Sequence, residues 1–244
     1  KLRSILQVEK FSSEFDESNV VAQFSSLGSL SQKWLDDFKK SMSAGKRAAL
    51  NDESADSKMI NHSSVEKLQI IWPTVEEVRT SLEGYAAGGS IPGYEKNVIK
   101  PCLRGMFHKW ATDKVHNRRK AAPHIKTFLR YSKEFPQKLA WMLLTSHNLS
   151  KAAWGEFQNG RSGLQFFIRH WELGVLFLPS LNKGSTDSNN MVTTASNPTE
   201  GEISIKFPLP YSLPPTRYAG NDKPWIWDIH HSIPDNWGRR SVQG

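Results

Sequence analysis

The apolar residues of this chain fall into short runs of strand-like and helix-like period, densest between Pro123 and Trp154. In Pro-His-Ile-Lys-Thr-Phe-Leu-Arg, the period of two puts His124, Lys126 and Phe128 on one strand face and Ile125, Thr127 and Leu129 on the other. Leu139 to Leu144 is almost continuously apolar and predicts a fully buried strand. That run ends in a polar tip, Thr145, Ser146, His147 and Asn148, after which Leu149 to Trp154 opens a helix. If the two strands are neighbours, His124, Lys126 and Asn148 converge at one end of a sheet beside a helix start. Such a set is an anion site with an acid/base group. Imidazole titrates near neutral pH, an ammonium and an amide hold oxygens as charge builds in a transition state, and helix-start amides add donors. A lone His-x-Lys is usually a solvated strand face, and it is the Asn after a buried strand that lifts this one above that reading.

The same reading assigns elements on either side. Leu2, Ile5, Leu6 and Phe11 form an amphipathic piece, and Asn19 to Phe24 a buried strand. Ser25-Ser26-Leu27-Gly28-Ser29 is a small-residue loop that lets backbone amides approach a phosphate, and it reads equally well as a plain strand-to-helix turn. Ser31 caps a helix through about Met42, with Trp34, Leu35 and Phe38 turned inward. Residues 43–64 are polar and aperiodic and predict a flexible loop. Leu68 to Trp72 is a short buried strand, and Pro73-Thr74 starts a helix over Val75 to Leu82. Gly84 to Gly93 predicts a second flexible loop, and residues 95–110 a helix with Phe107 and Trp110 inward. The basic run His116 to Lys120 reads first as a solvated loop and second as a DNA-facing patch.

Downstream, Leu164 to Ile168 and Glu172 to Leu178 read as a pair of strands. Glu172 opens an otherwise apolar strand and is either an edge residue in water or the orienting partner of a histidine, with His170 as a competing partner. Residues 182–202 are Ser/Thr/Asn-rich and predict a mobile loop. The proline-rich tail from Phe207 predicts extended segments over the surface, with one of Trp225 and Trp227 in the core and the other lining a groove.

Composition narrows the class. With 244 residues, 38% hydrophobic and nine Trp, the chain buries a sizeable core as one domain. A formal net charge of +8 favours a polyanionic partner. Cys102 alone makes no intramolecular disulfide and suits a reducing compartment. No apolar run approaches the roughly 18 residues of a membrane span, and Lys-Leu-Arg-Ser at the start lacks a signal-peptide core, so the expectation is a cytosolic or nuclear protein without a membrane partner. The first residue is Lys rather than Met, which predicts a fragment. Eight His and one Cys show no paired metal-ligand spacing, and Ser146 lacks a nucleophile elbow.

His-x-Lys followed by an Asn at the end of the next strand resembles the signature of the phospholipase D superfamily, whose pattern adds an Asp where this chain has Tyr131. That departure is itself a feature of the tyrosyl-DNA phosphodiesterase branch. Gln23-Phe-Ser-Ser-Leu-Gly-Ser-Leu, Pro73 to Tyr85, Gly88-Gly-Ser, Phe107-His-Lys-Trp, Trp171-Glu-Leu-Gly-Val-Leu-Phe-Leu-Pro and Pro224-Trp-Ile-Trp resemble the C-terminal half of that family's enzyme, in the family's order.

The resemblance implies an α/β fold, a mixed β-sheet sandwiched between helices, as a phospholipase D-like C-terminal domain over residues 1–244 and the second of two pseudo-symmetric halves. It implies a nuclear phosphodiesterase that hydrolyses 3′-phosphotyrosyl and related 3′-blocked DNA ends in repair of trapped topoisomerase I. The reaction runs through a phosphohistidine intermediate and needs no metal or organic cofactor. On this chain His124 takes the acid/base role, Lys126 and Asn148 hold non-bridging oxygens, and Glu172 hydrogen-bonds the catalytic His. Ser25, Ser26, Ser29, Ser90, Ser146, Ser150 and Lys151 fall on the DNA strand, and Pro92 and Trp227 on the peptide side. The implied partners are single-stranded or 3′-end DNA bearing a tyrosyl peptide and an N-terminal half with the other His-x-Lys, which supplies the nucleophile. A non-catalytic single-stranded DNA-binding module and a homodimeric phospholipase D-like nuclease stand as alternatives.

Overall fold

The computed structural model describes residues 1–47, 68–110, 119–161, 163–181, 190–193 and 204–241. Twelve strands are described: β1 Lys10–Phe11, β2 Asn19–Gln23, β3 Lys46–Arg47, β4 Leu68–Ile71, β5 Phe107–His108, β6 Lys126–Tyr131, β7 Lys138–Thr145, β8 Glu156–Gly160, β9 Gly163–Phe167, β10 Gly174–Phe177, β11 Asn190–Thr193 and β12 Ser204–Phe207. Five α-helices accompany them: α1 Leu2–Leu6, α2 Gln32–Met42, α3 Val75–Arg79, α4 Glu95–Val98 and α5 Lys151–Trp154.

Eight strands make one mixed sheet in the order β12-β11-β7-β6-β2-β4-β5, with β10 pairing β7 beside β11. β2, β4 and β5 run parallel, while β6 is antiparallel to β2, and β7 to β6. The far edge of the long strand β7 is shared. β11 takes Lys138 and Leu139, whereas β10 takes Met142 to Thr145. β6 and β7 are thus neighbours, and Lys126 sits opposite Thr145.

Both faces of the sheet are covered. Val20, Ala22, Phe24, Phe128, Trp141 and Leu143 pack with Leu35 and Phe38 of α2 into the larger core. Val21, Leu129, Tyr131, Leu139 and Met142 pack with Leu209 and Tyr211 of the tail into the smaller one. The apolar run of β7 hides a phase change: Arg130 pairs Trp141 but Tyr131 pairs Leu139, so the bulge at Ala140 puts Leu139 and Met142 on one face. Leu144 is exposed, so the run is not buried to its end.

Several expected elements change on inspection. Ser31 accepts from Trp34 N and caps α2 as expected. Residues 48–64 of the first expected loop lie outside the described residues. Residues 43–47 are fixed, with Ser43 and Ala44 buried and β3 paired in parallel with β1. Helix α3 stops at Arg79 rather than Leu82, held at its start by a capping box between Thr74 and Glu77. Residues 84–90 form a 3-10 helix rather than a flexible loop, with Gly84, Tyr85, Ala87 and Gly88 buried. A Cβ on Gly88 would fall 2.1 Å from the Trp225 ring, so that glycine serves packing rather than approach to a ligand. Residues 95–110 are not one helix: Pro101 and Gly105, at φ +77°, break the run, and Phe107 enters β5.

The two downstream strands do not pair with each other, because β9 forms a hairpin with β8 and β10 joins β7. Part of the expected 182–202 loop is strand β11, where Met191 and Val192 are buried between β7 and β12; residues 182–189 and 194–202 lie outside the described residues. The tail was expected as extended segments over the surface, yet it buries Tyr211, Trp225 and Ile226. Of the basic run, Arg119 and Lys120 are described and exposed, and residues 116–118 lie outside the described residues.

Candidate active site

Three chain segments meet at the end of the sheet where β6 begins and β7 stops. Residues 122–125 lie outside the ladder, so His124 precedes β6 and is exposed, while Lys126, its first residue, is buried. The Lys126 ammonium donates to Ser25 Oγ at 2.7 Å and to the His124 carbonyl at 2.5 Å. It also lies 3.4 Å from His124 Nδ1. An ammonium can only donate, so that contact needs an unprotonated Nδ1. Although His124 is exposed overall, partial desolvation of its imidazole first, then the Lys126 charge, push its pKa down. Burial likewise lowers Lys126, with Glu172 opposing.

Asn148 closes the set from the β7 side. Its Oδ1 accepts from Ser26 N at 2.9 Å, Ser25 N at 3.2 Å and Ser25 Oγ at 3.4 Å. Backbone N–H groups can only donate, so the amide orientation is fixed and Nδ2 remains as a donor for an incoming oxygen. Ser25 thereby links Lys126 to Asn148. The serine loop is pinned in turn, as Gly28 N donates to Leu149 O and a Cβ on Gly28 would meet Ser150 Cβ at 2.6 Å. Ser150 caps α5 by accepting from Ala153 N.

The remaining predicted residues fall into two groups. Ser25, Ser26 and Ser150 gather at the site, and Pro92 joins them where its carbonyl accepts from Leu27 N. Trp227 follows through Gly93, whose carbonyl accepts from Trp227 N at 2.9 Å; Trp225 is the core member of that pair. Ser29 accepts from Lys100 Nζ at 2.7 Å. That lysine was not singled out from the sequence, where it is one cation among many. Lys151 is held by Glu156 at 2.7 Å, and Ser90 ends its 3-10 helix exposed. Tyr131 packs in the smaller core and donates to Gln69, away from the site.

Glu172 departs from the expectation of a hydrogen bond to the catalytic His. Among the described residues its carboxylate accepts from Ser146 Oγ at 2.5 Å and stands 3.7 Å from His170 Nδ1, and no hydrogen bond joins it to His124. The imidazole that does enter this network is His147. Its Nδ1 is 2.5 Å from Thr145 Oγ1, the cross-strand partner of Lys126, and its ring lies 4.5 Å from that of Trp154. The single Thr145 hydroxyl proton serves either Leu173 O, at 3.0 Å, or His147 Nδ1, according to the imidazole tautomer. Burial keeps the His147 pKa low, with Glu172 opposing.

Beside the polar tip the chain is apolar and open. Trp171 is fully exposed and Leu173 83% exposed, with Phe157, Leu164, Phe166 and Val175 also in water. Leu173 N donates to Ser146 Oγ, which places this surface directly against the site. Among the described residues no group of three or more His, Cys, Asp or Glu could hold a metal ion. No helix among them is long and apolar enough to cross a membrane.

The family model described as Tyrosyl-DNA phosphodiesterase matches residues 1–219. Tyrosyl-DNA phosphodiesterase 1 of Arabidopsis thaliana is 44% identical over 265 residues, covering 98% of this chain and 41% of that protein. The Drosophila melanogaster protein of the same name is 36% identical, covering 87% of this chain and 34% of its own length. The crystal structure of yeast tyrosyl-DNA phosphodiesterase superposes with a TM-score of 0.53 at 22% identity, over 86% of this chain and 49% of that one. That likeness carries the phospholipase D-like fold. The chain therefore spans less than half the length of the relatives it matches.

Proposed function

Because the chain belongs to the tyrosyl-DNA phosphodiesterase family, we propose that it supplies the acid/base half of a site that hydrolyses 3′-phosphotyrosyl and related 3′-blocked DNA ends. The observation that carries this reading is the Lys126–Ser25–Asn148 chain of hydrogen bonds beside an exposed His124. It is an oxygen-binding pair with an imidazole at its edge.

The chemistry runs in two steps. A histidine from a second His-x-Lys unit attacks the 3′ phosphorus, a P–N bond forms, and the bond to the tyrosyl oxygen breaks as His124 gives that oxygen its proton. Neutral His124 then takes a proton from water, the oxygen attacks phosphorus, and the P–N bond breaks to release a 3′-phosphate. Lys126 and the Asn148 Nδ2 donor hold the non-bridging oxygens, each contributing about 10²-fold in rate. An arriving phosphate engages Lys126 and offsets the smaller of the two causes that lower the His124 pKa, which favours the protonated acid for the first step.

The second unit seats on the apolar surface around Trp171 and Leu173, where exposed patches mark interaction sites. On the same reading the activity belongs in the nucleus, in repair of trapped topoisomerase I. The test is hydrolysis of a 3′-phosphotyrosyl oligonucleotide. The monomeric chain alone should show none, and mixing in a unit that carries the other His-x-Lys should restore turnover. Turnover by a demonstrated monomer would overturn the half-site reading, and turnover that tracks dimer formation would support two copies of this chain instead.

A further inference from the structure

The opposite end of the sheet from Lys126 carries a second concentration of positive charge. A cavity of about 430 Å³ opens where β2 and β4 begin, lined by Lys39, Arg104, Lys133 and Arg217 with Asn19 and Gln69 between them. Among the described residues no carboxylate lines it. Lys39 is shared with Asp36 at 2.9 Å and Lys133 with Glu17 at 3.5 Å, both partners lying outside the lining. Arg217 donates only to the Gly105 carbonyl among the described residues, and Arg104 meets no carboxylate there.

Arg104 also lines a groove of about 820 Å³ that runs past Pro101 and Lys100 toward α3 and the tail. Lys100 is the residue that donates to Ser29 Oγ and to the Leu30 carbonyl on the serine loop of the site. Lys100, which touches that loop, and Arg104, which also lines the far cavity, therefore share one groove, with Glu76 and Glu95 among its other lining residues. Asn19 and Ser25 stand at the two ends of β2 and its extension, about 20 Å apart at ~3.3 Å per residue.

We infer that Arg104, Arg217, Lys39 and Lys133 form a second phosphate-binding patch, which holds the backbone of the DNA strand some nucleotides away from the reacting 3′ end. The proposal rests on the DNA-end reading of the site given above. Regularly spaced phosphates fit cations distributed along a track, and such contacts position a strand without reading its sequence. The patch therefore gives the chain a preference for strand length. A single strand stretches well beyond the 3.4 Å per nucleotide of a duplex strand, so one of about 2 nucleotides ends short of the patch while one of about 20 reaches it.

The experiment measures binding of fluorescent 3′-phosphotyrosyl strands of these two lengths to the chain across salt concentrations. The longer strand should bind more tightly at low salt. Arg104→Ala with Arg217→Ala should weaken the longer strand alone and remove about sevenfold of the affinity lost between about 50 and 200 mM salt, the share of two phosphate contacts. Arg104→Lys with Arg217→Lys should restore most of it. Arg104→Gln with Lys133→Gln, which touches no backbone hydrogen bond among those described, repeats the test if the first pair folds poorly by circular dichroism. Equal affinity of the wild type for both lengths, or long-strand binding unchanged in the variants, would overturn the patch and leave the active-site reading standing. Failure of the wild type to bind either length at low salt would overturn both.

Discussion

On the β6 side of β7, Lys126, Ser25 and Asn148 are held to one another by hydrogen bonds supplied by the chain itself, with Asn148 Nδ2 left as a donor. On the opposite edge of the same strand, β10 and the loop before it leave Val175, Leu173 and Trp171 in water. The difference follows from how the two kinds of group are penalised. A buried ammonium or amide without a partner costs several kcal/mol at once, so its partners must fold with it. Exposed apolar area costs only about 25 cal/mol per Å², spread over many atoms, and can wait for a partner surface. The polar half of the site is therefore complete within the chain while the apolar half is left for another unit.

The comparison is broken most severely at its catalytic group. In enzyme completed by the second unit, His124→Asn should slow turnover about 10²-fold or more and let a covalent DNA adduct accumulate on the other histidine, read on a denaturing gel. Full turnover in that variant would remove His124 from the mechanism. Next in size, Asn148→Ala strands the Ser25 and Ser26 amides and should lower chain stability by about 2 kcal/mol. Asn148→Asp, which keeps the acceptor oxygen, should retain most of it in denaturant unfolding. Equal losses in the two variants would mean the acceptor is not what matters.

The apolar edge should answer in the opposite way. Trp171→Ser with Leu173→Ser should shift chain stability by no more than about 0.5 kcal/mol yet weaken association with the second unit in sedimentation. A large stability loss would show that this surface already belongs to the core. The smallest effect is in pH. His108, His124 and His147 are all pushed below the ordinary imidazole value, each chiefly by burial. The unfolded chain then binds more protons near pH 6.5 than the native one, so stability is full above that pH and is lost as pH falls through the native values. Urea midpoints at about pH 7.5 and 5.5 should differ in that direction, and a flat profile would contradict the shifts.

Legibility in the sequence followed the range of the interaction. The alternation around Lys126 and the apolar run before Asn148 predicted two strands, while their pairing and register, with Lys126 opposite Thr145, came only from the sheet. The Ala140 bulge was invisible there, because Leu-Ala-Trp-Met-Leu-Leu is apolar in either phase. Strand β11 was lost inside a polar composition, since its apolar content is a short run and its burial depends on β7 and β12 beside it. His147 stood in view beside Asn148, but its role depends on Thr145 facing Lys126 across the strands, a relation no one-dimensional spacing records.

What the sequence determined by itself is the set of short-range preferences. The caps at Ser31, Thr74 and Ser150, the faces of β2 and β6, and the juxtaposition of His124 with Lys126 are all fixed within a few residues by backbone geometry and hydrogen-bonding chemistry. Only the tertiary structure decided what these groups meet. It gave the Asn148 carboxamide to the Ser25 and Ser26 amides and Glu172 to Ser146 rather than His124. It gave Gly88 to the Trp225 ring rather than a ligand, and drew Arg104 and Arg217 to one cavity. Those pairings join residues tens to more than a hundred positions apart, and they are chosen by the packing of the whole sheet, which local preference does not encode.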